Sequence, residues 1–202
     1  MQNIYNFYTN LLKSNSVWIR KISIWAGVWF VVGAGAYLFR PDLLDSVSQF
    51  LDMVFRDILA DKAPALDFST ALLIFRNNLE AALLALFLGI IVGIVPLMVV
   101  ALNFFILGFL FVIFTLPYSA SGVLTFAAAV VPHGIIEVPA LLLASAFGLR
   151  LGLDWKNWKV TLKQNVQIVP LLAVLFFLAA IIEVFVSGRL AEQLANSVTA
   201  SL

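Results

Sequence analysis

The chain has 202 residues, of which 63% are hydrophobic and 11% charged, whereas a soluble domain is about half apolar and about a quarter charged. One soluble core of this size cannot bury that apolar excess, so the composition predicts an all-α, polytopic membrane protein with a single domain. The formal net charge of +1 implies no nucleic-acid partner, and the absence of cysteine from the sequence excludes disulfides and thiolate chemistry.

The N-terminal segment, residues 1–21, is too polar to cross a bilayer. Its apolar residues recur on one face at helical spacing, with Lys13, Arg20 and Lys21 nearby. This pattern predicts an amphipathic helix that lies in the membrane interface. The apolar run that follows, residues 22–39, predicts the first transmembrane helix. We expect an uncleaved span here, not a signal peptide, because a long leader precedes it.

The longest polar segment follows the first span and is acidic. Pro41 suits the first turn of a helix, and apolar residues recur behind it as a stripe. We therefore predict a second amphipathic helix over residues 41–63, on the extracytoplasmic side, which lies flat on the membrane or caps the bundle. A solvated linker helix is the alternative.

The second span is predicted over residues 69–100, where Pro96 bends or ends the helix, and the third over residues 102–117. Small residues recur every four positions in the second span, and such a face lets another helix backbone come close in lipid. These predicted packing residues are Ala81, Ala85, Gly89 and Gly93.

The fourth span, residues 122–152, carries two prolines beside a histidine. Proline donates no amide hydrogen and disfavours helix in the residue before it, so Pro132, Gly134 and Pro139 predict a proline-broken span. An unbroken helix would also be about 46 Å long, against an apolar core about 30 Å thick. A second predicted packing face consists of Ala140, Ala144, Gly148 and Gly152.

The fifth span is predicted over residues 166–187, with Glu183 near its far end. A loop rich in lysine and tryptophan, residues 150–165, precedes it and is typical of a membrane–water boundary. Because basic segments stay in the cytoplasm, the sequence predicts five spans in the cytoplasmic (inner) membrane, with the N-terminus inside and the C-terminus outside.

The candidate polar site is centred on His133 and Glu137, which are spaced to share one face of a helix. Ionisable residues inside an apolar span are costly in a bilayer, so their default interpretation is functional. We add Glu183, Asn103 and Asn77 to this site, although the asparagines can instead hydrogen-bond between helices.

Three interpretations of this pair stay open. The residues can form a structural pair that caps backbone groups freed by the prolines. They can form a proton or solute relay in a transport path. They can also bind a divalent metal such as zinc, for which His133 and Glu137 would need a further ligand from Glu183, Glu80 or a second copy of the chain.

No enzyme signature accompanies the pair. The metalloprotease pattern HExxH is absent, since His133 is the only histidine, and no set of nucleophile, base and orienting residue is recognisable. We therefore expect a non-enzymatic protein with no cofactor beyond that potential metal.

Motifs along nearly the whole chain resemble the stage II sporulation protein M family. The element Pro132-His133-Gly134-Ile135-Ile136-Glu137-Val138-Pro139-Ala140 is the most specific of them. The others are Phe75-Arg76-Asn77-Asn78, Gly89-Ile90-Ile91-Val92-Gly93-Ile94-Val95-Pro96, Asn103 and Glu183.

The resemblance implies a multi-pass protein of the cytoplasmic membrane whose namesake works with sporulation proteins D and P, which thin septal peptidoglycan during engulfment. We expect a homo-oligomer in the lipid bilayer, packed through its small residues, that scaffolds or anchors a complex of membrane or envelope proteins. A channel or transporter for a small solute or ion is the alternative, and a metal-binding membrane protein or enzyme is the second.

Overall fold

The computed structural model describes residues 2–40, 66–190 and 193, except the side chains of residues 117–121. Every regular element in these ranges is helical, which confirms the all-α prediction. The second amphipathic helix predicted over residues 41–63 lies outside the described residues. The helices are α1 (Gln2–Ser14), α2 (Ser16–Phe39), α3 (Phe68–Phe87), α4 (Ile94–Leu153) and α5 (Trp158–Ile182).

Five helical stretches are long and apolar enough to cross a membrane, as predicted for a multi-pass protein. They are Ser16–Phe39, Phe68–Ile90, Ile94–Leu116, Gly122–Leu153 and Trp155–Leu190.

The first span begins six residues earlier than predicted. α1 ends at Ser14, and the buried side chain of Asn15 separates it from α2, donating from Nδ2 to the carbonyl oxygen of Leu11 at 2.9 Å. The basic residues before the apolar run do not end the helix, because long side chains can keep their charge at the membrane boundary. A helix is therefore present near the N-terminus, and its place in the membrane interface stays a prediction.

The predicted boundary between the second and third spans is wrong. α3 ends at Phe87, and a short 3₁₀ turn, Leu88–Ile90, follows it. The backbone then turns through Val92 and Gly93, whose φ angles are 51° and 71°. Gly93 adopts such a left-handed value without steric cost, whereas the β-branched Val92 adopts it at a cost, and together they let the chain reverse.

The third span starts at Ile94, eight residues before its predicted start at 102. Pro96 is the third residue of α4 and does not end α3. The first four amides of a helix have no partner within the helix, so a proline in the first turn forfeits no hydrogen bond.

The backbone of α4 is helical throughout, yet its two arms lie antiparallel. We call Ile94–Leu116 the first arm and Gly122–Leu153 the second arm. The rings of Phe111 and Phe126 are 5.3 Å apart between centroids, whereas fifteen residues of straight helix would separate them by about 22 Å. The chain therefore reverses between the arms, as the two separate predicted spans require.

The predicted break in the fourth span is wrong. The second arm stays helical through Pro132, Gly134 and Pro139. Each proline removes one backbone donor, and the hydrogen bonds of the flanking turns remain. Membrane helices tolerate proline where neighbouring helices support them, and here Ala140 and Ala144 are fully buried just beyond the second proline.

Ala85, Gly89, Gly148 and Gly152, four of the small residues predicted to pack helices, meet at a crossing within one chain. α3 and the 3₁₀ turn that follows it cross the second arm so closely that a Cβ atom on Gly89 would collide with the carbonyl group of Gly148. A Cβ on Gly148 would likewise meet the carbonyl oxygen of Ala85, and one on Gly152 would meet that of Gly89. The predicted face of each helix therefore contacts the other, and homo-oligomer formation stays a prediction.

A second close crossing was not predicted. It joins α2 to the first arm, where Gly33 lies against the backbone of Phe105 and Gly108 against that of Phe30. The second arm contacts the first arm, α3 and α5, and is exposed on its remaining face.

Helix α5 begins at Trp158, eight residues before the predicted start of the fifth span, so much of the basic loop is helical. Arg150, in the last turn of the second arm, connects the elements at this end of the bundle by hydrogen bonds. Its Nη1 donates to Asn15 Oδ1 and to Gln164 Oε1, both at 2.8 Å. The α1–α2 junction, the second arm and α5 therefore meet at one side of the membrane domain.

Candidate functional site

Three ionisable side chains from two spans meet in the structure. His133 and Glu137 lie on the second arm, and Glu183 lies at the end of α5. One ligand-capable atom from each of them lies within 4.8 Å of the other two, and all three side chains are half-buried. We call these three residues the His–Glu–Glu cluster.

The uninterrupted second arm creates half of this cluster. In a regular helix, residues four apart lie one above the other on the same face, so His133 and Glu137 point together toward α5. A break between them would have separated the two side chains.

A π turn, Glu183–Ser187, supplies the other half. It follows α5 directly, and the amide of Gly188 donates to the carbonyl oxygen of Glu183 five residues back. π turns are rare and often occur at functional sites. This one directs the side chains of both Glu183 and Ser187 to the second arm.

Ser187 joins the site through a hydrogen bond that was not predicted. Its hydroxyl oxygen lies 3.0 Å from His133 Nδ1, and the serine is only 2% exposed. When the imidazole proton is on Nδ1, the ring donates to Ser187 and keeps a free electron pair on Nε2. The serine thus fixes the orientation of the imidazole ring.

A cavity of about 110 Å³ adjoins the cluster and also reaches the first arm. A water molecule occupies about 30 Å³ in the liquid, so this space suits a few waters or a small hydrated ion. Asn103 is brought to the cavity as predicted, with its Nδ2 donating to Val99 O at 2.8 Å. The lining residues are Asn103, Phe104, Leu107, Val130, His133, Gly134, Glu137, Val138 and Leu141.

Two other candidates lie elsewhere. Asn77 is exposed on α3 and does not line the cavity. Glu80 accepts from Arg76 at 2.7 Å in an exposed pair, so it is not a third ligand beside His133. The predicted polar site therefore loses Asn77 and gains Ser187.

The charge of the cluster lacks a basic counterpart among the described residues. The ion pairs found there join Arg76 to Glu80 and Arg150 to Asp154, and neither Glu137 nor Glu183 pairs with lysine or arginine. Carboxylates in an apolar span need compensation by a proton, a cation or a polar partner. The arrangement can therefore exchange protons or bind a cation.

Comparison with known proteins finds relatives of this chain. The family model described as "Stage II sporulation protein M" matches residues 17–188, which include the whole cluster. A protein of Methanocaldococcus jannaschii, described as uncharacterized, is 29% identical over 133 residues, which cover 60% of this chain. The matched part covers 57% of that relative's own length. No solved structure matches the chain.

Proposed function

The chain belongs to the stage II sporulation protein M family, and on that premise we propose that it is a non-enzymatic membrane subunit that scaffolds or anchors an envelope-associated complex. Its partners are other membrane or envelope proteins or a second copy of itself. The proposal places it in the cytoplasmic membrane, with the N-terminus inside.

One observation carries this proposal: the His–Glu–Glu cluster is only half-buried although it lies within the spans. A charged residue near the centre of a membrane helix costs about 2.5–3.5 kcal/mol on insertion scales. Contact between lipid and this face of the second arm is therefore energetically unfavourable. A protein partner that covers the face would shield the cluster from lipid.

The apolar side chain of Val130 adjoins the cluster on the proposed contact face, since it lines the cavity together with His133 and Glu137. Ile135 and Val131, which are 68% and 47% exposed, lie on the opposite face of the helix, because residues two apart in a helix do not share a face. Polar groups shielded at the centre of a contact and surrounded by apolar residues are typical of helix association in membranes.

The accessibility of Ser187 supports a non-enzymatic role. A serine hydroxyl beside an imidazole nitrogen resembles a nucleophile and its base. However, a nucleophile must reach its substrate, and Ser187 is 2% exposed. Covalent labelling of Ser187 by a fluorophosphonate probe would contradict this part of the proposal.

The experiment uses single-cysteine variants, which are interpretable because the natural sequence contains no cysteine. Val130→Cys, beside the cluster in the cavity, is compared with Val31→Cys, an exposed position on α2. We expect thiol crosslinking in native membranes, at native expression, to join Val130→Cys to a second protein and Val31→Cys to none. A monomer at both positions would overturn the proposal.

A transport role is the second candidate, and the cavity favours it. The cavity brings Asn103 and Glu137 together in the middle of two spans, which suits the passage of a proton or small ion. Proteoliposomes under a pH or ion gradient test this role. Flux that is lost in Glu137→Gln and kept in Glu80→Gln would support it, and no flux from the unmodified protein would exclude it.

A further inference from the structure

We infer that His133, Glu137 and Glu183 form an intramembrane binding site for one divalent metal ion, with Zn²⁺ as the best-suited ion. This inference goes beyond the proposed subunit role and does not depend on it, since a chain without metal could still contact a partner.

The three side chains present the right donor atoms. Zinc is bound in proteins by imidazole nitrogen and carboxylate oxygen, at about 2.0–2.2 Å from each. Two ligand atoms of one tetrahedral ion are therefore about 3.4 Å apart. The candidate atoms already lie within 4.8 Å of one another, so closing the site requires approaches of at most about 1.4 Å between them.

Ser187 provides an independent sign of a metal site. A histidine that binds a metal through one ring nitrogen almost always donates a hydrogen bond through the other. Here Nδ1 of His133 lies 3.0 Å from the buried Ser187 hydroxyl, which leaves Nε2 available to the ion. The π turn that aligns Ser187 also aligns the third ligand, Glu183.

The charge of the site matches a divalent ion. Two carboxylates and a neutral imidazole carry a charge of −2, and no lysine or arginine of the described ranges pairs with them. A bound divalent cation makes the site neutral, which removes the cost of two isolated charges in an apolar span.

The nitrogen ligand and the open side of the site narrow the choice of ion. Mg²⁺ prefers six oxygen ligands in an octahedron, whereas an imidazole with two carboxylates suits Zn²⁺. Three protein ligands leave one position of a tetrahedral ion for water, and the adjoining cavity has room for it.

The test measures zinc bound to the purified chain in detergent after dialysis against ZnCl₂ with excess Mg²⁺. We expect about one zinc per chain by elemental analysis, and at least a tenfold lower content in His133→Gln and Glu183→Gln. Glu80→Gln is the matched control because Glu80 is an exposed carboxylate outside the cluster, and it should keep the full content.

The variant Ser187→Ala distinguishes a metal site that includes His133 from zinc binding by the two carboxylates alone. Loss of a hydrogen-bond partner of a metal-binding histidine typically weakens metal affinity 10–100-fold. We expect the affinity of the chain for zinc to fall about 10–100-fold in Ser187→Ala, while the number of zinc sites per chain stays at one.

A measurement on the unmodified protein tests the site even if the variants fail to fold. Zinc should raise the midpoint of its thermal unfolding, since a ligand that binds the folded state stabilises it, and EDTA should reverse the rise. The inference is overturned if the unmodified chain binds no stoichiometric zinc and its midpoint does not move. It is also overturned if folded His133→Gln and Glu183→Gln bind zinc as the unmodified chain does.

Discussion

The hydroxyl oxygen of Ser187 lies 3.0 Å from Nδ1 of His133, although the two residues are 54 positions apart in the chain. The contact joins the second arm of α4 to the π turn after α5. It fixes the imidazole ring beside Glu137 and Glu183 and so holds the three ionisable side chains of the cluster together.

The close crossing of α3 and the second arm should be intolerant of even one methyl group. In Gly148→Ala the new Cβ would collide with the backbone of Ala85, which cannot rotate away. Overpacking of this kind typically costs about 1–3 kcal/mol. We expect a lower midpoint of thermal unfolding in detergent.

Gly35→Ala is the matched control for that change. Gly35 lies in α2 with open space where a Cβ would be. Alanine is also a better helix former than glycine, so the control should unfold at the same temperature as the unmodified chain or above it. Equal destabilisation by both substitutions would contradict the close crossing.

Arg150→Ala should loosen the end of the bundle where α1, the second arm and α5 meet. The change removes the bonds to Asn15 and Gln164 and leaves the buried side chain of Asn15 without its charged partner. Hydrogen bonds to charged groups contribute about 1.5–3 kcal/mol. The midpoint of thermal unfolding should fall clearly, and proteolysis at the α1–α2 junction should become faster.

Arg76→Ala provides the comparison, because Arg76 pairs with Glu80 on an exposed surface of α3. Such a pair contributes less than about 1 kcal/mol. Similar losses for Arg76→Ala and Arg150→Ala would show that the Arg150 contacts do not stabilise the bundle.

The start of α3 should weaken in acid. The carboxylate of Asp67 accepts from the Thr70 amide at 2.9 Å and from Ser69 Oγ at 2.8 Å, and these bonds lower the pKa of Asp67. A carboxyl group with a lowered pKa stabilises the folded state above its unfolded pKa. That contribution is lost as the pH falls through the lower, folded value.

Hydrogen exchange of the Thr70 amide can follow this loss below about pH 4, where an unperturbed aspartate protonates. Protection relative to other amides of α3 should decrease with acid in the unmodified chain. It should stay constant in Asp67→Asn, because asparagine also caps helices but does not titrate. The same acid response in both would exclude Asp67 as its source.

The proposed orientation predicts which positions face the cytoplasm. Lys156 lies in the turn between the second arm and α5, on the side where basic residues gather, and Phe39 ends the first span on the other side. In intact cells, an impermeant thiol reagent should label Phe39→Cys and spare Lys156→Cys. The reverse pattern would place the N-terminus outside.

The prolines show where sequence reasoning about this fold falls short. Pro96 predicts a helix end, but it lies in the first turn of α4, where a missing amide costs nothing. Pro132 and Pro139 predict a break, but the packing around them preserves the helix. The effect of a proline depends on its place in the helix and on its neighbours, and neither is visible in local sequence.

The helix-packing residues were more predictable than the full site. The four-residue spacing of Gly89 and Gly148 with their small neighbours predicts a close approach, and these two faces meet each other. His133 and Glu137 stand out because ionisable residues are rare in apolar spans. Ser187 could not be predicted, since a π turn has no composition signal and its partner is distant in sequence.

Crosslinking of His133→Cys with Ser187→Cys tests the assembled cluster most directly. A short bifunctional methanethiosulfonate should join the two thiols within one chain, leaving no free thiol by mass spectrometry. Val131→Cys with Ser187→Cys is the control, because Val131 lies two residues from His133 on an exposed face of the same helix. We predict rapid joining of the first pair and none of the second. No joining of the first pair, or equal joining of both, would contradict the cluster on which the proposed subunit role and the metal site depend.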